Sequence, residues 1–208
     1  MERIRIGIIG GTFDPIHYGH LIIAEEARVK VGLARVIFIP AGNPPHKLRR
    51  PYSPAQHRYR MVELAIASNP YFEVSPVEVN RPGPSYSVDT VRMLREEMGP
   101  EVDLFFIMGV DSLAGILTWH KPEELIKLCK IIAVNRPGYG VDIDALDQVL
   151  PGIKKQVIFI RAPEIGISST EIQERVRAGL PIRYLVPPEV ERYIYEHHLY
   201  RDYFNEKP

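Results

Sequence analysis

A strand that opens onto paired glycines and then onto two histidines constrains this chain more than any other feature. Ile4 to Ile9 is a short apolar run. Gly10-Gly11-Thr12-Phe13-Asp14-Pro15-Ile16-His17-Tyr18-Gly19-His20 follows, and then a helix-like run from Leu21 to Val31. Strand, glycine turn and helix start form the arrangement with which α/β proteins hold phosphates. Two glycines let the backbone approach a ligand closely. The helix start presents unpaired N–H groups at the positive end of its dipole. His17 and His20 add hydrogen-bond donors at that same end. The pattern suits a polyphosphate, and the histidines point to a reaction there.

The rest of the chain alternates short β-rich runs with helical patterns. Strands are predicted at Ile4–Ile9, Val36–Pro40, Val102–Met108, Lys130–Val134 and Val157–Ile160, and Phe72–Val79 reads as extended. Helices are predicted at Leu21–Val31, from Ser53-Pro54 to about Ser68, from Ser85 or Ser87 with Val88, Val91, Met93, Leu94 and Met98 on the apolar side, and at Glu123–Lys127. Others are expected at Asp142–Val149, Ser169–Ala178 and Pro188–His198. Strands separated by helices predict a doubly wound, Rossmann-like parallel sheet with helices on both faces. In such sheets ligands sit at the carboxyl ends of strands, where the strand order reverses. The usual G-x-G-x-x-G fingerprint is missing, and so is a Walker A sequence. Val79-Asn80-Arg81-Pro82-Gly83 recurs as Val134-Asn135-Arg136-Pro137-Gly138, which reads as repeated type II turn chemistry.

Composition narrows the function classes. The chain has 208 residues, with 26 Lys plus Arg against 26 Asp plus Glu. That length fits one domain over 1–208, with a helical C-terminal portion from about 163. Balanced charge disfavours a nucleic-acid partner. The single cysteine, Cys129, sits in the apolar stretch Leu125–Val134 and reads as a buried structural thiol. A lone thiol fits a reducing compartment. Neither a signal peptide nor an apolar run near 18 residues is seen, so a cytoplasmic protein without a membrane partner is expected.

Thr12-Phe13-Asp14-Pro15 followed by His17-Tyr18-Gly19-His20 resembles the (H/T)xGH motif of the nucleotidyltransferase superfamily. The doubled glycine and the His-x-Gly-His form resemble the bacterial nicotinate-mononucleotide adenylyltransferases. Ile167-Ser168-Ser169-Thr170-Glu171-Ile172 resembles the second superfamily motif, ISSTxIR, and also reads as a capped helix start. Gln173 stands where the arginine is usual, and Arg175 or Arg177 is a candidate substitute. Pro44-Pro45-His46-Lys47 resembles the family's PPHK loop. Pro84-Ser85-Tyr86-Ser87-Val88-Asp89-Thr90 resembles its SYTxDT helix start, and Gly109-Val110-Asp111-Ser112-Leu113 with Trp119-His120 resembles its GxDSL…W segment. The stretch from Ile182 to Tyr200 resembles the family's terminus, so the likeness runs along nearly the whole chain.

The resemblance implies transfer of AMP from ATP to nicotinate mononucleotide, giving nicotinate adenine dinucleotide and pyrophosphate. It places His17 and His20 in catalysis, as donors to the α-phosphate and the bridging oxygens. It assigns ATP to Gly10, Gly11, Thr12, Phe13, Gly19, Gly109, Asp111, Ile167, Ser168, Ser169, Thr170 and Arg175. It assigns nicotinate mononucleotide to Lys47, Thr90, Trp119, His120 and Arg136, with Trp119 stacking on the pyridine ring. Mg²⁺ is expected on the ATP phosphates, without a dedicated protein cage. His17-x-x-His20 makes a weak zinc site for want of a third ligand. The alternatives are another acceptor (phosphopantetheine or nicotinamide mononucleotide), a non-catalytic ATP-sensing module, and an RNA-binding synthetase-like fragment. Whether the chain forms a homo-oligomer is left open.

Overall fold

The computed structural model describes residues 3–44, 52–135, 138 and 140–201. Six strands run parallel: β1 (Ile4–Gly11), β2 (Arg35–Pro40), β3 (Phe72–Val74), β4 (Val102–Gly109), β5 (Lys130–Val134) and β6 (Val157–Ile160). Their order is β3-β2-β1-β4-β5-β6. Strands after β1 are laid first to one side and then to the other. The reversal falls between β1 and β4, where the expected doubly wound sheet puts its ligand crevice.

The apolar pattern explains the layering. Successive strand side chains point to opposite faces. On one face lie Ile9, Val36, Phe38, Phe105, Ile107 and Val134. They pack with α1 (Tyr18–Val31), α2 (Ala55–Ile66), α8 (Ser169–Arg177) and α9 (Pro188–Glu196). The other face carries Ile8, Ile37, Ile39, Leu104, Phe106 and Ile131. It is covered by α3 (Ser87–Met98), α4 (Val110–Ala114), α5 (Pro122–Leu128), α6 (Ile143–Val149) and α7 (Ile153–Gln156). The central strand β4 is buried on both faces, as its continuous apolar run predicts. Cys129 is buried, and burial pushes its thiol up to about 12, which makes it inert.

Several boundaries differ from those read in the sequence. The extended run at Phe72–Val79 is a three-residue edge strand, because Pro76 cannot donate to the ladder and the chain turns there, with Asn80 bonding back to Pro76. α2 starts one residue late, at Ala55, because the Ser53 backbone is used elsewhere. α1 begins at Tyr18, so His17 is its N-cap residue. The short α4 and α7 and the 3₁₀ turn Ile116–Thr118 carry too few residues for periodicity to show. Gly83 and Gly138 both have positive φ, at 86° and 75°, as the repeated Pro-Gly turns require. No helix among the described residues is long and apolar enough to cross a membrane.

Arg58 joins three separate segments. It lies on the apolar stripe of α2 with Met61, Val62, Ala65 and Ile66, and it is fully buried. Its guanidinium donates to the carbonyls of Ser53 (2.8 Å), Thr12 (2.9 Å) and Gly42 (3.2 Å). Burial works against its charge, while the nearby Asp14 carboxylate, foremost among its neighbours, supports it. A lysine keeps the charge but cannot span three carbonyls from one planar fork. Arg58→Lys should therefore lower unfolding stability by about 2–4 kcal/mol. Urea unfolding followed by circular dichroism measures this, and a loss within the noise of a surface substitution would refute the bridging role.

Candidate active site

A cleft of about 460 Å³ opens at the carboxyl ends of β1 and β4. Three helix starts converge on it: His17, Gly19 and His20 of α1, Gly109, Asp111 and Ser112 of α4, and Ser168, Ser169 and Thr170 of α8. Each start turns a positive dipole end towards the same space, although at α1 the His17, Tyr18 and His20 N–H groups are already bonded within the protein. α1 has no acidic residue in its first turn. Among the described residues that line it there is no lysine or arginine, so its positive character comes from helix starts and the two histidines, beside the carboxylates of Asp111 and Glu164.

The two histidine rings stack at 3.7 Å between centroids, 28° apart. His20 Nδ1 accepts a hydrogen bond from the His17 backbone N–H at 3.3 Å. The neutral ring then carries its proton on Nε2, and so keeps a donor there. Phe13 sits edge-on to His20 at 5.0 Å. It does not line the cleft but supports the histidine that does. A Cβ at Gly11 would lie 3.0 Å from the Phe13 ring, so a larger residue there would have to push the ring aside. At Gly109 a Cβ would lie 2.2 Å from Asp111 Oδ1, so the Asp111 carboxylate would have to move.

The loop before the histidines is held by side chains from distant elements. Thr12 is held through its carbonyl by Arg58. The carboxylate of buried Asp14 accepts from the Ser53 N–H (3.1 Å) and the Tyr200 hydroxyl (2.7 Å). Burial, and the Asp14 charge after it, push the Tyr200 phenol well above its ordinary pKa, so it remains a donor. The carbonyls of Asp14 and Pro15 accept from Gln173 Nε2 (2.6 Å) and Ser169 Oγ (2.8 Å). Tyr18 N–H donates to the Leu185 carbonyl at 3.1 Å.

Of the residues singled out in the sequence, Gly10, His17, Gly19, His20, Gly109, Asp111, Trp119, Ile167, Ser168, Ser169 and Thr170 line the cleft. Ser168 caps α8 by accepting from the Glu171 N–H at 3.1 Å. The hydroxyl of Ser169 is committed to Pro15. Trp119 packs one side against Phe106, ring centroids 5.8 Å apart, and meets the cleft with the rest. Gly11, Thr12 and Phe13 stand behind the cleft wall. Arg175 is not brought to the cleft: its Nε donates to the Pro181 carbonyl and its Nη1 lies 3.9 Å from Glu171. Thr90 is buried and donates to Glu78 Oε1, while His120 stacks on Tyr86 at 4.2 Å, outside the cleft lining. Lys47 and Arg136 lie outside the described residues.

Reading the sequence missed Arg58, Asp14, Tyr200, Glu78 and Asn135 as parts of this construction. Arg58 was detectable as an arginine inside an apolar helical stripe. Asn135 directly follows β5 and pins the loop after β6, its Oδ1 accepting from the Ala162 N–H at 2.7 Å. No local pattern marks that contact. Glu78 shows as a carboxylate between two valines, and the structure buries it beneath the Gly42 turn. A Cβ at Gly42 would lie 2.1 Å from the Glu78 carbonyl oxygen, so that turn requires glycine.

The comparisons with known proteins agree with this geometry. The family model described as cytidylyltransferase-like matches residues 8–175. A relative from Thermoanaerobacter sp. (strain X514), named "Probable nicotinate-nucleotide adenylyltransferase", is 48% identical over 97% of both chains. One of the same name from Moorella thermoacetica is 49% identical, covering 95% of this chain and 92% of its own. Among solved structures, the Plasmodium falciparum nicotinic acid mononucleotide adenylyltransferase complexed with NaAD superposes with a TM-score of 0.77. It is 20% identical and covers 95% of this chain and 97% of that one, which supports the fold. Fold, cleft and family model together define a nucleotidyltransferase of the cytidylyltransferase-like family. Within that family, the chain belongs with the nicotinate-nucleotide adenylyltransferases.

Burial raises the pKa of Glu78 above the ordinary glutamate value, against hydrogen bonds from Thr90 and Ser85. A raised pKa means that the folded state holds the proton more tightly than the unfolded chain. Stability from this group is therefore gained as pH falls through the folded pKa, and ionised Glu78 destabilises at higher pH. Glu78→Gln keeps the oxygen that accepts from Thr90 and removes the buried charge. The variant should unfold at higher urea than the parent at pH 8, with the gap closing as pH falls towards 4. A gap that does not change with pH would contradict the assignment.

Proposed function

We propose that this chain joins the AMP part of ATP to nicotinate mononucleotide, releasing pyrophosphate. One observation carries the reading: the stacked His17–His20 pair and the start of α8 face one cleft at the reversal point of the sheet. Full-length relatives named for this reaction support the acceptor. The fold neighbour from Plasmodium falciparum is complexed with NaAD, a dinucleotide of the kind this reaction yields.

The nucleophile is a phosphate oxygen of nicotinate mononucleotide, ionised near neutral pH, so no base is needed to generate it. A bond forms from that oxygen to the α-phosphorus as the bond from the α-phosphorus to the β-bridging oxygen breaks. Pyrophosphate leaves with the electron pair. Little covalent chemistry falls to the protein, and positioning with charge stabilisation supplies the rate. His20, with its Nε2 proton directed by the Nδ1 bond, donates to the α-phosphate, and His17 donates beside it. The Gly19 N–H at the start of α1 and the Ser169 and Thr170 N–H groups at the start of α8 take further phosphate oxygens, and the Ser168 and Thr170 hydroxyls can donate alongside them. Trp119 offers the ring face on which the pyridine stacks. Lys47 and Arg136 would meet the mononucleotide phosphate. Thr90 acts indirectly, by holding Glu78.

Mg²⁺ fits the donor set. Asp111 and Glu164 are the carboxylates on the cleft, and among the described residues no three His, Cys, Asp or Glu side chains gather as a metal cage. Asp111 and Glu164 are the residues that would hold a hard cation arriving on the ATP phosphates. When bound it supplies charge neutralisation on the phosphates.

The test is pyrophosphate release from ATP with Mg²⁺ and each of nicotinate mononucleotide, nicotinamide mononucleotide and phosphopantetheine. Turnover should be strongest with nicotinate mononucleotide; tight ATP binding with no turnover on any acceptor would favour a sensing module. His17→Ala or His20→Ala should each lower kcat by roughly 10²–10³-fold with little change in folding. Near-normal kcat in both variants would reject the histidine roles. Trp119→Ala should raise KM for the mononucleotide by about tenfold and leave KM for ATP nearly unchanged.

A further inference from the structure

Gln173 occupies the position where the resemblance leads one to expect an arginine on the phosphates, and the structure gives it another task. Ser169 and Gln173 lie one helical turn apart on the same face of α8. They donate to consecutive carbonyls, Ser169 Oγ to Pro15 and Gln173 Nε2 to Asp14. Those carbonyls belong to the loop that runs through the fully buried Ile16 into His17. Both ends of the amide are used, since Gln173 Oε1 accepts from Arg177 Nη2 at 3.3 Å. An arginine at 173 has no acceptor and would set two guanidinium groups against each other. The residue is thus matched to its two neighbours and is not a neutral gap in a cationic site.

We propose that Gln173, assisted by Ser169, is a positioning residue for the transfer reaction. It locks the histidine loop to the start of α8, so that the groups acting on the α-phosphate and those receiving the leaving phosphates move as one body. This rests on the function proposed above. Its consequence is specific. An arginine on the phosphates would strengthen ATP binding in the ground state as well as in the transition state. A clamp on the protein's own backbone does not touch ATP, and acts on how well the histidines meet the reacting phosphate. Loss of the clamp therefore appears in kcat more than in KM.

Gln173→Glu isolates the donor. It keeps the length and the oxygen that accepts from Arg177, and sets an oxygen against the Asp14 carbonyl. Steady-state kinetics should show kcat lowered about tenfold, with KM for ATP changed less than about threefold. Combined with His17→Ala, the same change should add less than about a twofold further loss, because the group being positioned is already gone. Ser169→Ala should shift kcat in the same direction. Hydrogen exchange of the ligand-free protein gives a reading independent of turnover. The peptide Thr12–His17 should exchange about tenfold faster in Gln173→Glu, while β4 is unchanged.

A raised KM for ATP at constant kcat would overturn the proposal in favour of direct phosphate contact. Full additivity with His17→Ala, together with a lowered Tm, would reduce Gln173 to general stabilisation and overturn it equally. Unaltered exchange with kcat within twofold of the parent would remove the clamp altogether. A parent enzyme that makes no pyrophosphate from ATP and nicotinate mononucleotide would reject the function instead, and the exchange comparison would still decide whether the loop is clamped.

Discussion

The short loop before His17 depends on hydrogen bonds that it cannot make for itself. Its backbone is neither strand nor helix, yet Asp14 and the residues beside it are buried. Buried carbonyls need partners or they cost stability. Side chains from α2 and α8 provide them: Arg58 to Thr12, Gln173 to Asp14 and Ser169 to Pro15. Tyr200, beyond α9, takes the Asp14 carboxylate. Residues separated by more than a hundred positions in the chain therefore meet on one turn. The same bonds that satisfy the turn fix where His17 and His20 stand. Stability and the placing of the two histidines draw on one set of contacts here.

That arrangement explains how a chain without net charge can hold a highly charged ligand. Among the described residues, the positive potential is local and comes from three helix starts aimed at one cleft, with two stacked imidazoles between them. Oriented dipoles need no reorganisation when charge develops on the α-phosphate, which is where fixed donors contribute most. Two cationic side chains, Arg58 of α2 and Arg175 of α8, are used differently. Arg175 is spent on Pro181 and Arg58 on three carbonyls, so both serve the framework.

The parallel sheet was legible from the alternation of apolar runs and helical patterns, and β5 and β6 fall where those runs lie. The cleft was legible because its main parts are local. Gly10, His17, Gly19 and His20 sit on one strand–helix turn, and Ser168 to Thr170 sit on another. What escaped the sequence is non-local. Tyr200 meets Asp14 across 186 positions and Gln173 meets Asp14 across 159. No spacing rule reports such pairs. The short edge of β3 escaped because Pro76 outweighed a run of favourable residues around it. The sequence likewise gives no sign that the amide of Gln173 meets the carbonyl of Asp14.

The most direct test of a site that works by positioning is the stereochemical course at the α-phosphorus. ATP made chiral there with oxygen isotopes, turned over with nicotinate mononucleotide, reports how many displacements occur. A single in-line attack between phosphates held by the His17–His20 turn and the start of α8 predicts inversion in the dinucleotide product. Retention would mean two displacements through a covalent intermediate, and would contradict a cleft that only aligns and stabilises.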